Sequence, residues 1–247
     1  YARRGNWFLY SIAPTITVTP DSHAITYGDP LPGFTPTLAG FIDGDTEDSA
    51  GITGTPTWGV AGPYSTSGNA TAGLHDVRFT GGLASRLGYR FTNDAASTDE
   101  LAVDPLEITA SVSVDDKIYD GTTAATLVGI SADVLPGDVV TFSGPAAFRD
   151  KNVGVDKPVD VTEIVLGGPD GGNYLLVDGT GITTTADIFA RALTASYTAA
   201  DKVYDGTTAA TVTGSSADVL PGDLVTFSQR AAFRDPNVGV SKPVDVT

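Results

Sequence analysis

The residues best suited to metal or acid–base chemistry form one short acidic run. Asp43, Asp45, Glu47 and Asp48 lie within six positions of one another, so their carboxylates offer oxygen ligands for Ca²⁺ or a pair of acids for glycoside hydrolysis. The run is rich in turn-forming residues, where solvated charge is the usual outcome. It also lacks the spacing of an EF-hand loop. We therefore expect no catalytic residue here and retain the four acids as candidate calcium ligands.

Residues that usually support zinc or nucleophilic chemistry are scarce. The chain has no Cys, and its two histidines, His23 and His75, are 52 positions apart. Without thiolates or a closely spaced histidine pair, a zinc site is not expected. No His follows His75 to act as a base beside a Ser or Thr. The composition therefore predicts a protein that is not an enzyme and that has no cofactor besides the candidate calcium.

Composition also restricts the partners. There are 30 Asp and Glu against 14 Lys and Arg, a net charge of −16. Such a surface repels phosphate backbones and anionic lipids, so we expect neither nucleic-acid binding nor peripheral membrane binding. No apolar run approaches the roughly 20 residues of a membrane-spanning helix, so we expect no membrane insertion. A carbohydrate surface needs exposed aromatic side chains close together. Trp58 and Tyr64 are the candidate pair for such a ligand.

All of these residues lie in a tandem repeat, whose fold must position them. Residues 108–162 recur at 193–247 with a constant offset of 85 and 41 of 55 identical positions. A fainter copy precedes them, because each copy places a tyrosine 11 positions after an apolar-Thr pair and a Gly-Asp pair shortly afterwards. The tyrosines are Tyr27, Tyr119 and Tyr204, and the aspartates are Asp45, Asp138 and Asp223. We predict repeat units at 15–106, 107–191 and 192–247, the last one incomplete.

The local pattern within each unit is that of strands. Short β-branched or aromatic segments, such as Val139–Phe142 and Tyr174–Val177, alternate with Gly, Pro, Asn and Asp. Asp120-Gly121 and Pro136-Gly137 are typical tight-turn pairs. The chain is therefore predicted to be all-β, with tandem immunoglobulin-like, antiparallel β-sandwich units, or β-grasp-like units, in an extended rod. Each unit is expected to close its own core.

Two motifs recur in the last two units and are expected to be structural. The tyrosine before each Asp-Gly turn is predicted to be buried, with its hydroxyl bonded to neighbouring backbone. In the Phe-Arg-Asp motif, Phe is predicted to pack inward while Arg pairs with a nearby carboxylate. The residues are Tyr119, Asp120, Gly121, Phe148, Arg149, Asp150, Tyr204, Asp205, Gly206, Phe233, Arg234 and Asp235.

These motifs resemble a known repeat family. Lys117–Thr123 reads KIYDGTT and Phe148–Gly154 reads FRDKNVG, which resembles the YDG repeat of filamentous-haemagglutinin-type bacterial adhesins. The first unit, with Ile25–Pro30 reading ITYGDP, resembles the related MBG repeat. Gly5–Ser11 resembles the aromatic segment that follows the β-helical shaft of such proteins, so residues 1–14 are interpreted as the tail of a preceding region.

The resemblance implies a structural or adhesive role at the cell surface. It implies export through an outer-membrane transporter by two-partner secretion, and service as a stalk or adhesive fibre on the surface or in the biofilm matrix. The implied partners are exopolysaccharide, a host or neighbouring cell surface, or sister chains. The alternative is a carbohydrate-binding module for exopolysaccharide or host glycan. No catalytic residues come with the family.

Overall fold

The structure, a computed structural model, describes residues 12–98 and 100–247. The aromatic segment Gly5–Ser11, and nearly all of the predicted tail at 1–14, lie outside the described residues. The described chain is all-β, as predicted, with many short strands in several small sheets that are consistent with a β-sandwich. Among the described residues, no helix is long and apolar enough to cross a membrane.

The described elements are 23 strands, one four-residue helix and one 3₁₀ turn. Up to Ile108 they are β1 Thr15–Pro20, β2 His23–Thr26, β3 Pro36–Ala39, α1 Glu47–Ala50, β4 Ile52–Val60, β5 Gly73–His75, β6 Val77–Ser85, β7 Arg90–Asn93, β8 Leu101–Asp104 and β9 Leu106–Ile108. From Ser111 to Phe189 they are β10 Ser111–Val114, β11 Lys117–Ile118, β12 Ala124–Ala125, β13 Leu127–Ile130, β14 Thr141–Ser143, β15 Ala146–Phe148, β16 Gly154–Glu163, β17 Val165–Gly167, the 3₁₀ turn Gly171–Asn173, β18 Tyr174–Leu176 and β19 Thr180–Phe189. The last are β20 Ser196–Ala199, β21 Val212–Ser215, β22 Ala231–Phe233 and β23 Val244–Val246.

The described chain forms two compact units that do not coincide with the sequence repeats. Unit 1 contains the described residues up to Val112 together with Val128–Gly144 and Glu163–Thr180. Unit 2 contains Ser113–Leu127, Pro145–Thr162 and Gly181–Thr247. Each compact unit thus combines segments of two consecutive repeats. The expectation that every repeat closes its own core is wrong, whereas the repeat boundaries remain a prediction about the sequence.

Unit 1 is built from small sheets of mixed direction. Its three-stranded sheets have the orders β3-β1-β7 and β2-β8-β5, and the pairs β4-β6, β9-β18 and β14-β17 complete it. The pairs β1-β7, β2-β8 and β9-β18 are parallel. The predicted antiparallel pairing thus occurs in unit 1 together with these parallel pairs. Parallel neighbours cannot be joined by a tight turn, so each of these pairs brings together segments that are distant in sequence.

The larger core of unit 1 is shared by consecutive repeats. Tyr27, Leu101 and Val103 from the first repeat pack with Ile108 and Tyr174 from the second. Leu101 is fully buried and Tyr27 is 2% exposed. A second cluster lies within the first repeat, around Ile16, Ala50 and Tyr89. Removal of apolar area from water is the main stabilising contribution to folding, and both repeats supply apolar side chains to this larger core.

The long antiparallel pair β4-β6 contains a bulge at which particular glycines are needed. Its register shifts between Gly54 and Trp58, where Pro56 cannot donate to the ladder. Gly82 has φ +94°, and a Cβ added there would lie 2.0 Å from the carbonyl oxygen of Thr55. The two strands therefore approach more closely at this bulge than any side chain allows.

Unit 2 contains the largest sheet. Its order is β11-β19-β16-β15-β12, and β11 and β19 are parallel. The buried residues of these strands are Phe148, Val159, Val161, Ala186 and Ile188. The later repeat contributes the antiparallel pairs β20-β21 and β22-β23. Strand β16 is thus the central strand of this sheet, and β19 lies between β16 and β11.

The bulge geometry predicts that Gly82→Ala lowers the free energy of unfolding much more than Gly33→Ala does. Gly82→Ala places a Cβ against backbone at positive φ, so it should lower the free energy of unfolding of unit 1 by about 2 kcal/mol or more. Gly33→Ala is the control, because no atom lies within 4 Å of the added Cβ. Urea unfolding followed by Trp58 fluorescence in a Trp7→Phe background measures both. Equal stability of the two variants would contradict the bulge geometry.

Candidate functional site: a tyrosine–aspartate joint in each compact unit

In unit 1, two tyrosines from different repeats share one carboxylate. The hydroxyls of Tyr27 and Tyr174 each donate to Oδ2 of Asp138 at 2.5 Å. Their rings meet edge to face, with centroids 5.3 Å apart. Tyr27 follows β2, Tyr174 begins β18, and Asp138 follows the tight turn at Gly137, where φ is +97°. We call these three residues the first Tyr–Asp joint.

In this joint, the carboxylate of Asp138 acts as a fixed, ionised hydrogen-bond acceptor. Burial alone would raise the pKa of Asp138, but donation from Ser67, Tyr174 and Tyr27 outweighs it and holds this pKa below its usual value. Burial, together with the nearby carboxylate, raises the pKa of both tyrosines. The phenols therefore stay protonated and the carboxylate ionised, which is the state that makes the strongest hydrogen bonds.

A second set of hydrogen bonds between the first and second repeats is centred on Asp170, which is 1% exposed. Its carboxylate accepts from the backbone N–H of Thr66 at 3.0 Å and of Val139 at 2.7 Å, and also from the Thr66 hydroxyl. Asn173 accepts from the N–H of Ala72 at 2.8 Å. Burial would raise the pKa of Asp170, but these bonds, Thr66 first, hold it below its ordinary value. Asp170 and Asn173 belong to the second repeat, and they thus hold a loop of the first repeat in place.

Unit 2 repeats the arrangement with the equivalent residues. The hydroxyl of Tyr119 donates to Oδ1 of Asp223 at 2.8 Å. Lys151 lies 3.5 Å from the same oxygen, with its ammonium 5.9 Å from the Tyr119 ring centroid. Tyr119 and Asp223 stand at the same repeat positions as Tyr27 and Asp138. We call Tyr119, Lys151 and Asp223 the second Tyr–Asp joint.

This joint corrects the prediction for the motif tyrosines. Tyr119 is half-buried, and its hydroxyl bonds a carboxylate 104 residues along the chain rather than neighbouring backbone. Tyr204 is exposed. In the first and second repeats, the tyrosine at this position therefore bonds an aspartate of the following repeat.

The Asp-Gly turn after each motif tyrosine is held by a lysine. The Lys117 ammonium lies 2.8 Å from Asp120 and donates to the carbonyls of Thr122 and Ala124 at 3.1 and 2.8 Å. Gly121 supplies the positive φ of the turn, +80°. The hydrogen bond from Lys117 lowers the pKa of Asp120 to about 2. The last repeat has the same set, in which Lys202 bonds Asp205 and the carbonyls of Thr207 and Ala209 next to Gly206.

The Phe-Arg-Asp motif forms a second fixed corner. Phe148 is buried, and Arg149 makes a two-pronged contact with Asp160 at 2.9 and 3.0 Å. Asp150 accepts from Lys157 at 2.7 Å. The later copy has the matching residues: Phe233, Arg234 with Asp245, and Asp235 with Lys242. Both motifs thus hold loops in place through lysine and arginine contacts.

The candidate calcium ligands are not gathered into a site. Asp45 accepts from the Tyr89 hydroxyl at 2.7 Å, while Glu47 and Asp48 lie in the first turn of α1. Asp43 is exposed at positive φ. Within residues 12–98 and 100–247, no group of three or more acids and histidines is arranged to hold a metal ion. Asp45 instead pairs with a tyrosine, as its counterpart Asp138 does.

The candidate aromatic pair is divided between core and surface. Trp58 is half-buried, meets Phe34 and Phe79 edge to face, and donates its indole N–H to the Phe34 carbonyl at 3.1 Å. Tyr64 is 51% exposed, and its hydroxyl donates to the Val60 carbonyl. Tyr64 is therefore the member of the pair that a ligand can reach.

Both histidines lie in strands of unit 1. His75 is buried, and its two ring nitrogens lie 3.1 and 2.7 Å from the carbonyl oxygens of Ala61 and Thr71. His23 lies 3.2 Å from Asp21. Each histidine thus has local partners and they do not meet.

Sequence reasoning found the repeated Gly-Asp pairs but gave them no role. The usable signal was the constant spacing of one tyrosine and one aspartate in every repeat, since a buried phenol needs an acceptor. That spacing could not reveal that the acceptor belongs to the next repeat.

Comparison with known families agrees with the motifs. The model of the YDG domain matches residues 91–184 and 190–247, and that of the MBG domain (YGX type) matches residues 16–98. No curated protein and no solved structure matches the chain. Both Tyr–Asp joints lie within the matched segments.

The buried Asp170 predicts a loss of stability in acid. Its pKa is lowered in the folded state, so its contribution is complete above the unfolded value of about 3.9 and is lost as pH falls through the folded value. Asp170→Asn removes the charge that accepts three hydrogen bonds. It should lower the unfolding free energy of unit 1 at neutral pH by about 2 kcal/mol and flatten the decline between about pH 5 and 2.

Asp178→Asn, an exposed acid nearby, provides the matched control and should leave the pH profile unchanged. Trp58 fluorescence during urea unfolding at each pH, with Trp7→Phe as background, gives the profile. A wild-type slope in the Asp170 variant would show that this carboxylate does not stabilise the unit.

Proposed function

Because the chain belongs to the YDG domain family and an MBG domain precedes its YDG domains, we propose that it is a stalk and adhesive segment of a secreted bacterial surface protein. Domains of these two kinds are typical of adhesin-like surface proteins. In this proposal the parent protein is exported through an outer-membrane transporter. It then acts outside the cell or in the biofilm matrix, where exopolysaccharide, another cell surface or sister chains are its partners.

The observation that supports a mechanical role is the sharing of one compact unit by two consecutive repeats. Tyr27 and Asp138 are 111 positions apart and belong to different repeats, as do Tyr119 and Asp223. A force along the chain therefore acts on hydrogen bonds and apolar cores that span successive repeats. Cooperative units of this kind resist the loss of a single repeat better than independent units would, because opening one repeat exposes part of its neighbour's core.

The chemistry of the charged groups supports a structural rather than catalytic role. The acids whose pKa is lowered most clearly by partners, Asp120 and Asp205, are held by lysine in tight turns. Asp138 and Asp170 are saturated by hydrogen bonds from tyrosine, serine, threonine and backbone. A general acid or base must instead offer a free position to substrate. We accordingly propose that the segment is not an enzyme.

Small-angle scattering tests the stalk proposal. A single compact globule of this length has a radius of gyration of about 18 Å. A stalk segment should exceed this value clearly and give a long-tailed distance distribution. A radius of gyration near 18 Å, in a monodisperse sample, would contradict the proposal.

The carbohydrate-binding alternative is supported by the exposed ring of Tyr64, because sugar rings stack on accessible aromatic faces. Polysaccharide co-sedimentation and a glycan array with wild type, Tyr64→Ala and Leu74→Ala separate the two functions. Leu74 is similarly exposed but aliphatic. Binding lost only in Tyr64→Ala would favour the module, and absence of binding by all three would favour the stalk.

A further inference from the structure

The first Tyr–Asp joint places two phenols side by side across the boundary between repeats. Tyr27 is 2% exposed and Tyr174 is 6% exposed. Both hydroxyls donate to the same oxygen of Asp138, and the ring centroids are 5.3 Å apart. The ortho carbon of a phenol adjoins the carbon that bears its hydroxyl, so hydroxyls that converge on one atom also bring the ortho positions close together. Oxidative coupling of two tyrosines requires this kind of arrangement.

Asp138 supplies the base that such a reaction needs. Removing an electron from a phenol makes its proton strongly acidic, and the carboxylate already accepts the hydrogen bond of that proton. The pKa of both tyrosines is raised by burial and by the carboxylate, so they remain phenols at neutral pH and must lose the proton together with the electron. Asp138 is partly exposed, so it can pass each proton on to water.

A third buried tyrosine shows what the first joint adds. Tyr89 is also 6% exposed, and its hydroxyl donates to Asp45 at 2.7 Å. Its ring meets Phe41, with centroids 5.8 Å apart. A radical formed on Tyr89 thus has an acceptor for its proton, but the ring it contacts is not a phenol. The first joint differs in that two tyrosines share one carboxylate.

We propose that Tyr27 and Tyr174 form a modification site, at which a one-electron oxidant joins them through their ortho carbons into dityrosine. Each phenol loses one electron to the oxidant and one proton by way of Asp138. The two radicals form a carbon–carbon bond, and the ortho hydrogens move to the oxygens, which restores both hydroxyls. With hydrogen peroxide and a haem peroxidase as the oxidant, one peroxide is reduced to two water molecules for each bond formed.

The bond ties consecutive repeats together covalently in a chain that has no Cys. Tyr27 belongs to the first repeat and Tyr174 to the second, so the cross-link closes a long loop. Such closure stabilises the folded state by constraining the unfolded chain. The rings of linked tyrosines are twisted about the new bond, which is compatible with the interplanar angle of 76°. Nothing in this step depends on the stalk role, because the geometry of the joint alone supports it.

Photo-oxidation of the full chain tests the proposal. A ruthenium tris-bipyridyl complex, oxidised by light and persulfate, removes single electrons from tyrosine, and dilute protein keeps the coupling within one chain. Dityrosine fluorescence should rise in the monomer. Tryptic mass mapping should find the peptides of Tyr27 and Tyr174 joined, with the loss of two hydrogen atoms. In urea, where the joint is open, the yield of this link should fall about tenfold or more.

Three variants separate the joint from the other tyrosines. Asp138→Asn keeps an acceptor but removes the base, so the link should form about tenfold more slowly or less. This variant should also lose the slowing in D₂O that proton transfer gives the wild type. Tyr174→Phe should abolish the link, while Tyr89→Phe, the matched control, should couple as the wild type does.

The proposal is overturned if the link between Tyr27 and Tyr174 is absent while exposed tyrosines such as Tyr64 couple. It is also overturned if the link forms equally in urea, or if Asp138→Asn couples as fast as the wild type. The mapping and the urea comparison use the wild-type chain, so they decide the outcome even if a variant does not fold.

Discussion

A buried phenol must have a hydrogen-bond acceptor, and the acceptor of Tyr27 comes from the next repeat. Tyr27 is almost completely buried, so an unpartnered hydroxyl would cost about as much as a lost hydrogen bond. Asp138 needs donors in turn, because shielding a carboxylate from water costs free energy unless hydrogen-bond donors surround it. Each of the two residues supplies the hydrogen-bond partner that the other needs. This one pairing requires the Gly-Asp turn of the second repeat to lie against the first.

The division of the chain into compact units follows from that requirement. Once Asp138 and Asp170 are fixed on the first repeat, the segments Val128–Gly144 and Glu163–Thr180 belong to unit 1. The remaining parts of the same repeat form unit 2 with the last repeat. The recurrence of the pairing at Tyr119 and Asp223 shows that it is a property of the repeat. A protein built in this way can couple its repeats without disulfides, which a chain with no Cys cannot form.

Much of the local structure was predictable because it depends on neighbouring residues. The prediction of strand at Tyr174–Val177 matches β18, and the turns at Gly121 and Gly137 have the positive φ that Asp-Gly and Pro-Gly pairs favour. The parallel pairs and the shared core depend on long-range contacts, about which a strand pattern carries no information. The family motifs likewise identified the structural residues of each turn, but the partner of Tyr119 is visible only in three dimensions.

A double-mutant cycle between Tyr27 and Asp138 tests the central claim most directly. Tyr27→Phe, Asp138→Asn and the double variant are unfolded in urea and followed by Trp58 fluorescence in a Trp7→Phe background, with Tyr64→Phe in place of Tyr27→Phe as the non-contacting control. The structure predicts a coupling free energy of about 1–3 kcal/mol for Tyr27 with Asp138 and about zero for Tyr64 with Asp138. A coupling near zero for Tyr27 would mean that consecutive repeats are not joined through this pair.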